Sequence, residues 1–232
     1  MDLFSPKLIV ISAPSGTGKT SIFKSAQKIF PNLTLSVSYT TRNPREGEKQ
    51  GVDYFFVSPE EFQQRIKDQD FLEWAEVYGN FYGSSKEFIK SSQKSGNIVL
   101  LDIDVQGAMQ LRQIKNLNAT FVFITPPSLE VLEKRLVSRG TETPESLKKR
   151  LGNAEHELTF QNQYDYTVVN DELDQAVRHL LSISLQESID LCGITDKKDE
   201  TILKEVLHFH DKNNDFVHPV LRDVYQQILS QT

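Results

Sequence analysis

The eight residues Ala13-Pro14-Ser15-Gly16-Thr17-Gly18-Lys19-Thr20 carry the densest chemistry in the chain. They follow the apolar run Leu8-Ile9-Val10-Ile11 and lead into a helical pattern, which is the strand, glycine loop and helix order of a phosphate-binding loop. Gly16 and Gly18 let the backbone turn tightly enough for successive N–H groups to point at phosphate oxygens, and the start of the next helix adds partial positive charge. In such a loop Lys19 meets the β- and γ-phosphates of a nucleoside triphosphate and Thr20 a magnesium ion. The pattern G-x-x-x-x-G-K-[ST] normally begins with glycine; here Ala13 stands first, and a small side chain still fits. The plainer alternative is a strand-to-helix turn with an incidental Lys-Thr.

A phosphate loop alone does not distinguish a kinase from a nucleotide switch or a motor, so the second substrate has to be sought elsewhere. Arg42 and Arg45 lie three apart beside Pro44 and Gly47, an arrangement suited to gripping one phosphate with two guanidinium forks. A solvated basic turn is the alternative. Tyr54 and Tyr82 can donate hydroxyls to the same phosphate, or be half-buried sheet residues. Asp102 closes the apolar run Ile98-Val99-Leu100-Leu101, as a magnesium-orienting acid does in a phosphate-loop enzyme, acting directly or through water. A carboxylate at that place can equally cap the next helix.

The elements that must position these groups alternate. Strand-like runs at Leu8–Ser12, Asn97–Asp102, Ala119–Thr125 and Tyr166–Asn170 are separated by helical patterns, which argues for an α/β protein with a parallel sheet covered by helices. Between the first two runs lies a different texture. Val52–Val57 and Phe71–Tyr82 are rich in β-branched and aromatic residues and flank one short helix, so the stretch reads as an inserted lobe. That helix has a start signal in Ser58 as cap, Pro59 at the first position and Glu61 to complete a capping box. A second start is Thr143-Pro144-Glu145. The polar stretch Ser138–Thr143 before it, carried between two helical patterns, suits a mobile lid.

Composition bounds the rest. A chain of 232 residues with 38% hydrophobic and 25% charged residues is an ordinary globular protein with one full core, or one core with inserted lobes. The apolar runs are strand-length, far below the roughly 20 residues of a membrane helix, and the first residues do not begin a secretion signal. A net charge of −6 gives no general attraction to nucleic acid, and the expectation is a cytoplasmic protein binding neither nucleic acid nor membrane. The one cysteine, Cys192, excludes an internal disulfide and a Cys-cluster metal site. His208 and His210, two apart on a helical pattern, face different directions and read as surface histidines rather than metal ligands. Beyond about residue 190, two apolar helical stripes separated by Asp211–Asp215 read as an appended hairpin, packed on its own domain or forming a dimer contact.

Several ordered motifs together resemble the guanylate kinase family. They are Ser36-Val37-Ser38-x-Thr40-Thr41-Arg42-x-Pro44-Arg45-x-Gly47-Glu48, Gly51-x-Asp53-Tyr54-x-Phe56, Phe71-Leu72-Glu73-Trp74-Ala75 and Gly79-x-x-Tyr82-Gly83-Ser84. Leu101-Asp102-Ile103-Asp104-Val105-Gln106-Gly107, Pro126-Pro127-Ser128, Arg135, Arg139-Gly140-Thr141-Glu142 and Val169-Asn170-Asp171 continue the resemblance, which covers roughly residues 5–188. It implies a P-loop NTPase-type parallel sheet core with helices on both faces, an inserted GMP-binding β-rich lobe (about residues 36–88), a lid (about 136–146) and a C-terminal helical extension. The chain then divides into a kinase domain, 1–190, and an extension, 191–232.

The resemblance further implies transfer of the ATP γ-phosphoryl group to GMP or dGMP, with Mg2+ accompanying ATP, in a monomer or homodimer. Arg42, Arg45, Tyr54 and Tyr82 match the residues that hold the GMP phosphate. Glu73 matches the acceptor of the two adjacent guanine donors, and Ser38, Ser84 and Asp104 match the remaining base contacts. Arg135, Arg139 and Arg150 match the arginines that stabilise charge on the transferred group, and Asn170 joins residues 13–20 in binding ATP. Two other readings keep the same scaffold: a domain that binds phosphorylated peptides, against which the intact loop argues, and a sugar-phosphate kinase, which would leave Glu73 without a guanine edge. A guanine-reading Asn-Lys-x-Asp sequence is absent, which disfavours a GTP switch.

Overall fold

Leu8, Ile9, Val10 and Ile11 are apolar at every position, so the strand they form has to be covered on both faces. The computed structural model, which describes residues 8–77, 79–138 and 144–188, meets that requirement. In chain order the elements begin β1 (Leu8–Ser12), α1 (Lys19–Ile29), β2 (Leu33–Leu35), β3 (Tyr39–Thr40), β4 (Phe55–Phe56) and α2 (Pro59–Lys67). They continue with β5 (Phe71–Val77), β6 (Asn80–Ser85), α3 (Lys86–Lys94), β7 (Ile98–Asp102) and α4 (Val105–Arg112). The last are β8 (Ala119–Thr125), α5 (Leu129–Ser138), α6 (Pro144–Leu158), β9 (Tyr166–Val169) and α7 (Leu173–Ser188).

One sheet, in the order β2-β7-β1-β8-β9, is parallel throughout. Its alternate residues feed two cores, as the two-residue period of a strand dictates. Ile9, Ile11, Leu100, Val122 and Ile124 pack against Ile22 and Phe23 of α1 and Val177 and Leu180 of α7. Leu8, Val10, Val99, Leu101, Phe121 and Phe123 face Ile89 of α3 and Ala108 and Leu111 of α4. Helices thus cover both faces. The four sequence-predicted strands occupy the expected residues to within one at either end. The edge strand β2 was not foreseen, because three residues are too short to show a period.

The inserted lobe is a second sheet, β4-β3-β6-β5, built on the antiparallel β5–β6 hairpin. Of the stretch Val52–Val57 only Phe55 and Phe56 form a strand; Tyr54 makes an isolated bridge to Gln50, and Val52 is exposed in the preceding turn. Phe62 of α2 is fully buried against Phe71 and Phe81, at 4.6 and 5.5 Å between ring centroids. Ser58 caps α2, its Oγ accepting from the Glu61 N–H at 3.1 Å, while the Glu61 carboxylate accepts from Arg65 one turn later. Helix α6 begins at Pro144, as its start signal predicts. Residues 139–143 of the expected lid, Arg139 among them, together with the expected C-terminal hairpin, Cys192, His208 and His210, lie outside the described residues.

Parallel strands gather their carboxyl ends on one side, where ligands of open α/β sheets bind. The loop after β1 and Asp102 at the end of β7 meet there, Ile11 lying opposite Asp102 in register.

Candidate active site

The loop between β1 and α1 is shaped from behind as much as from within. Gly16 and Gly18 adopt φ of +96° and +99°, the left-handed region that side chains disfavour. A Cβ on Gly16 would meet Leu136 Cδ2 at 2.7 Å, and one on Gly18 would meet Asn170 Nδ2 at 2.6 Å. Thr17 is fully buried; its Oγ1 donates to the Pro14 carbonyl at 2.7 Å, and its own carbonyl accepts from Asn170 Nδ2 at 2.6 Å. Arg135 of α5 donates to the carbonyls of Asn170 (2.9 Å), Asp171 (3.3 Å) and Thr17 (3.4 Å). Asn170 and Arg135, expected to touch ATP and the transferred group, therefore brace the loop in this structure.

The open side of the loop faces a cleft of ≈ 570 Å³ whose walls come from both the core and the lobe. All eight residues 13–20 line it, with Asp102 and Asp104 from the core and Arg150 from α6. Ser38, Arg45, Tyr54, Glu73 and Tyr82 line it from the lobe. Lys19 Nζ sits 2.7 Å from Asp102 Oδ1 and donates to the Ala13 carbonyl at 3.3 Å. Arg150 Nη1 donates to Ser15 Oγ at 3.2 Å. The capping alternative for Asp102 is excluded here. The cap of α4 is Asp104, whose Oδ1 accepts from the Gly107 N–H at 2.9 Å, and Asp102 is paired with Lys19.

In the lobe, Glu48 organises both arginines. Its two carboxylate oxygens accept from Arg42 Nη2 at 2.9 and 3.0 Å, and Oε2 accepts from the Arg45 N–H at 2.7 Å. Arg42 also donates to the Asn43 carbonyl at 2.7 Å and lies over the rings of Tyr54 and Phe56, so its guanidinium is held on several sides. The hydrogen bond raises the Arg42 pKa and lowers that of Glu48, which keeps both charged. Tyr54 and Tyr82 stand 6.0 Å apart, ring to ring. Burial, and then the nearby Asp102 charge, push the Tyr54 phenol up to about 12, so it remains a proton donor at neutral pH.

Glu73 is 5% exposed, and Ser84, fully buried behind it, donates to its Oε1 at 2.6 Å. Ser84 thereby supports the carboxylate from behind. Burial pushes the Glu73 carboxyl up to about 7; the Ser84 hydrogen bond opposes this and the Asp104 charge adds to it. Burial likewise raises Asp104 and pushes Glu157 of α6, on the same cleft, up to about 7. A buried acceptor pair facing a cleft suits a ligand edge with two adjacent donors, whose hydrogen bonds offset the desolvation.

The oxygen donors fit magnesium. Thr20 is exposed at the first turn of α1, and Asp102 ends β7 on the same cleft. Few protein ligands beside substrate phosphates is the usual magnesium arrangement. Among the described residues no group of three or more His, Cys, Asp and Glu makes a metal cage, and no helix among them is long and apolar enough to cross a membrane.

The family model described as "Guanylate kinase" matches residues 5–187. The chain belongs to the guanylate kinase family. It is 43% identical over 205 residues to a guanylate kinase of Clostridium perfringens, covering 88% of this chain and 93% of that protein. It is 45% identical over 192 residues to that of Caldanaerobacter subterraneus subsp. tengcongensis, covering 83% and 91%. The crystal structure of guanylate kinase from Anaplasma phagocytophilum superposes with a TM-score of 0.65 at 30% identity, covering 87% of this chain and 95% of that one.

Glu157, which lines the cleft, and Glu48 and Gly107, which stand against its lining residues Arg45 and Glu73, make contacts that no sequence signal announces. Glu48 and Gly107 stood inside quoted motifs, but nothing in their spacing shows that Glu48 folds back onto Arg42 or that Gly107 lies against Glu73. Glu157 carries no local signal, because its approach to Lys19 depends on how α6 docks.

Proposed function

We propose that the cleft holds ATP on the loop and GMP in the lobe, so that the two phosphates meet in line. The chain transfers the γ-phosphoryl group of ATP to GMP, giving ADP and GDP, and dGMP serves as a second acceptor. The observation that carries the base reading is the buried Glu73 carboxylate on the wall it shares with the phosphate loop. It accepts from the guanine N1–H and exocyclic amine, with Ser38 and Asp104 on the remaining edges and Ser84 holding Glu73 in place.

Arg42, Arg45, Tyr54 and Tyr82 grip the GMP phosphate and neutralise it for approach. A phosphate monoester oxygen is already a nucleophile, so no strong base is needed. It forms a bond to the γ-phosphorus while the bond to the ADP oxygen breaks. Lys19 holds the β- and γ-phosphates, and Arg135, Arg139 and Arg150 meet charge as it moves, the first of them after release from the carbonyls it now bonds. Thr20 and Asp102 would hold magnesium, which would supply neutralisation of the triphosphate charge. The lobe and the lid close over the substrates and exclude water, so that ATP is not hydrolysed. The single cysteine suits a reducing cytoplasm.

The test is Glu73→Ala with both substrates titrated. The KM for GMP should rise by about tenfold or more while the KM for ATP stays near that of the parent. Unchanged preference for guanine would remove Glu73 from base recognition.

A further inference from the structure

Glycine is a poor residue for a helix, and three of its uses do not explain Gly107. It lies in the first turn of α4, its φ is outside the left-handed region, and it makes no turn. Its neighbours do explain it. A Cβ there would fall 2.6 Å from Glu73 Oε2 and 3.3 Å from both Glu73 Cδ and Asp104 Oδ1. Gly152, inside α6, is a contrast, since a Cβ there meets nothing within 4 Å. The Glu73 carboxylate is therefore laid directly against the backbone of α4, at the end of the helix whose free N–H groups favour negative charge.

We propose that Gly107 is a specificity-determining residue of this site: its missing side chain creates the space in which Glu73 must sit to read the guanine edge. The proposal rests on the reading of Glu73 as the guanine acceptor. Gly107 serves both acids of the base pocket. Its N–H donates to Asp104 Oδ1 at 2.9 Å, and its bare Cα admits Glu73 Oε2.

An alanine at 107 has one inexpensive way to fit. The clashing atom is the far end of a side chain, so Oε2 withdraws by about 0.8 Å, to the 3.4 Å at which ordinary contacts begin. Glu73 cannot make that move unchanged, because Oε1 is held by Ser84 at 2.6 Å across the β5–β6 pair and the side chain is almost fully enclosed. The displaced carboxylate then meets the guanine donors at poor distance, and the base edge loses its charged acceptor.

The experiment compares the parent, Gly107→Ala, Glu73→Ala and the double variant, using full-length protein with GMP and IMP as acceptors. IMP keeps the N1–H and lacks the exocyclic amine. Expected for Gly107→Ala is a raised KM for GMP, an unchanged KM for ATP, and a fall of about tenfold or more in the GMP-over-IMP ratio of kcat/KM. In the Glu73→Ala background the same substitution should change that ratio no further and leave the melting temperature equal or higher, because alanine is the better helix former. An unchanged ratio in Gly107→Ala, or a further fall in the double variant, would overturn the proposal. A Gly107→Ala protein that fails to fold while the double variant folds supports it; failure of both overturns it. If Glu73→Ala keeps the parent ratio, the base reading itself fails, and that outcome is visible without any variant of Gly107.

Discussion

Replacing Glu73 by glutamine should make the protein more stable and a worse enzyme, with a pH dependence that follows from burial. Glu73 is 5% exposed, and its carboxyl is pushed from an ordinary 4.5 up to about 7, chiefly by burial. Below pH 4.5 the group is protonated in the folded and unfolded chain alike, and folding suffers no penalty. Between pH 4.5 and 7 the unfolded chain has released a proton that the native protein keeps, so the parent loses about 1.4 kcal/mol of stability per pH unit. Across the window this amounts to about 3 kcal/mol. Glutamine keeps the shape and an acceptor for Ser84 and never ionises. The advantage of Glu73→Gln should therefore be near zero at pH 4.5 and reach about 3 kcal/mol above pH 7, roughly 6–12 °C in melting temperature for a chain of this size. Glu157, also pushed up to about 7, is present in both proteins and cancels in the difference. Thermal melts of the two proteins from pH 4.5 to 8, without nucleotide, read the effect directly. Melting temperatures that stay parallel across the window would refute the reasoning, as would a glutamine variant less stable than the parent at pH 8.

Three further outcomes follow from the geometry. Lys19→Ala removes the cation paired with Asp102 at 2.7 Å, and should lower kcat by about 10²-fold or more in steady-state assays with saturating ATP and GMP. Gly18→Ala forces a side chain into φ +99° and onto Asn170 Nδ2, and should raise the KM for ATP by about tenfold with a measurable fall in melting temperature. Glu48→Gln weakens the hold on Arg42 and should raise the KM for GMP by about 3- to 10-fold with a smaller change in kcat, since the pair is partly exposed.

The phosphate loop was legible in the sequence because its geometry is local: two glycines at left-handed φ, a lysine and a threonine all fall within eight residues. The core strands were legible because a strand buried on both faces is apolar at every position. Where contacts span the chain, the residue type was visible and its partner was not. Asn170 and Arg135 stood out as candidates, yet their directions, onto the Thr17 carbonyl and the carbonyls of residues 170 and 171, are set by the packing of β9 and α5. Glu48 folds back onto Arg42, six residues away, through the turn Arg45–Glu48 with Gly47 at φ +85°, and six-residue spacing has no signature of its own. Asp102, at a strand end, reads in the sequence equally as a magnesium-orienting acid or as the cap of the next helix, and Asp104 two residues on shows no capping signal of its own. The backbone decides: Asp104 takes the extended φ of −74° and ψ of 171° that a cap requires.

The most direct test is ADP release from ATP and magnesium with GMP, dGMP, AMP, CMP, UMP and ribose 1,5-bisphosphate offered in turn. The account predicts turnover with GMP and dGMP and little with the other four, because only guanine presents two adjacent donors to Glu73. Turnover with the sugar phosphate alone, or silence with every acceptor, would contradict it.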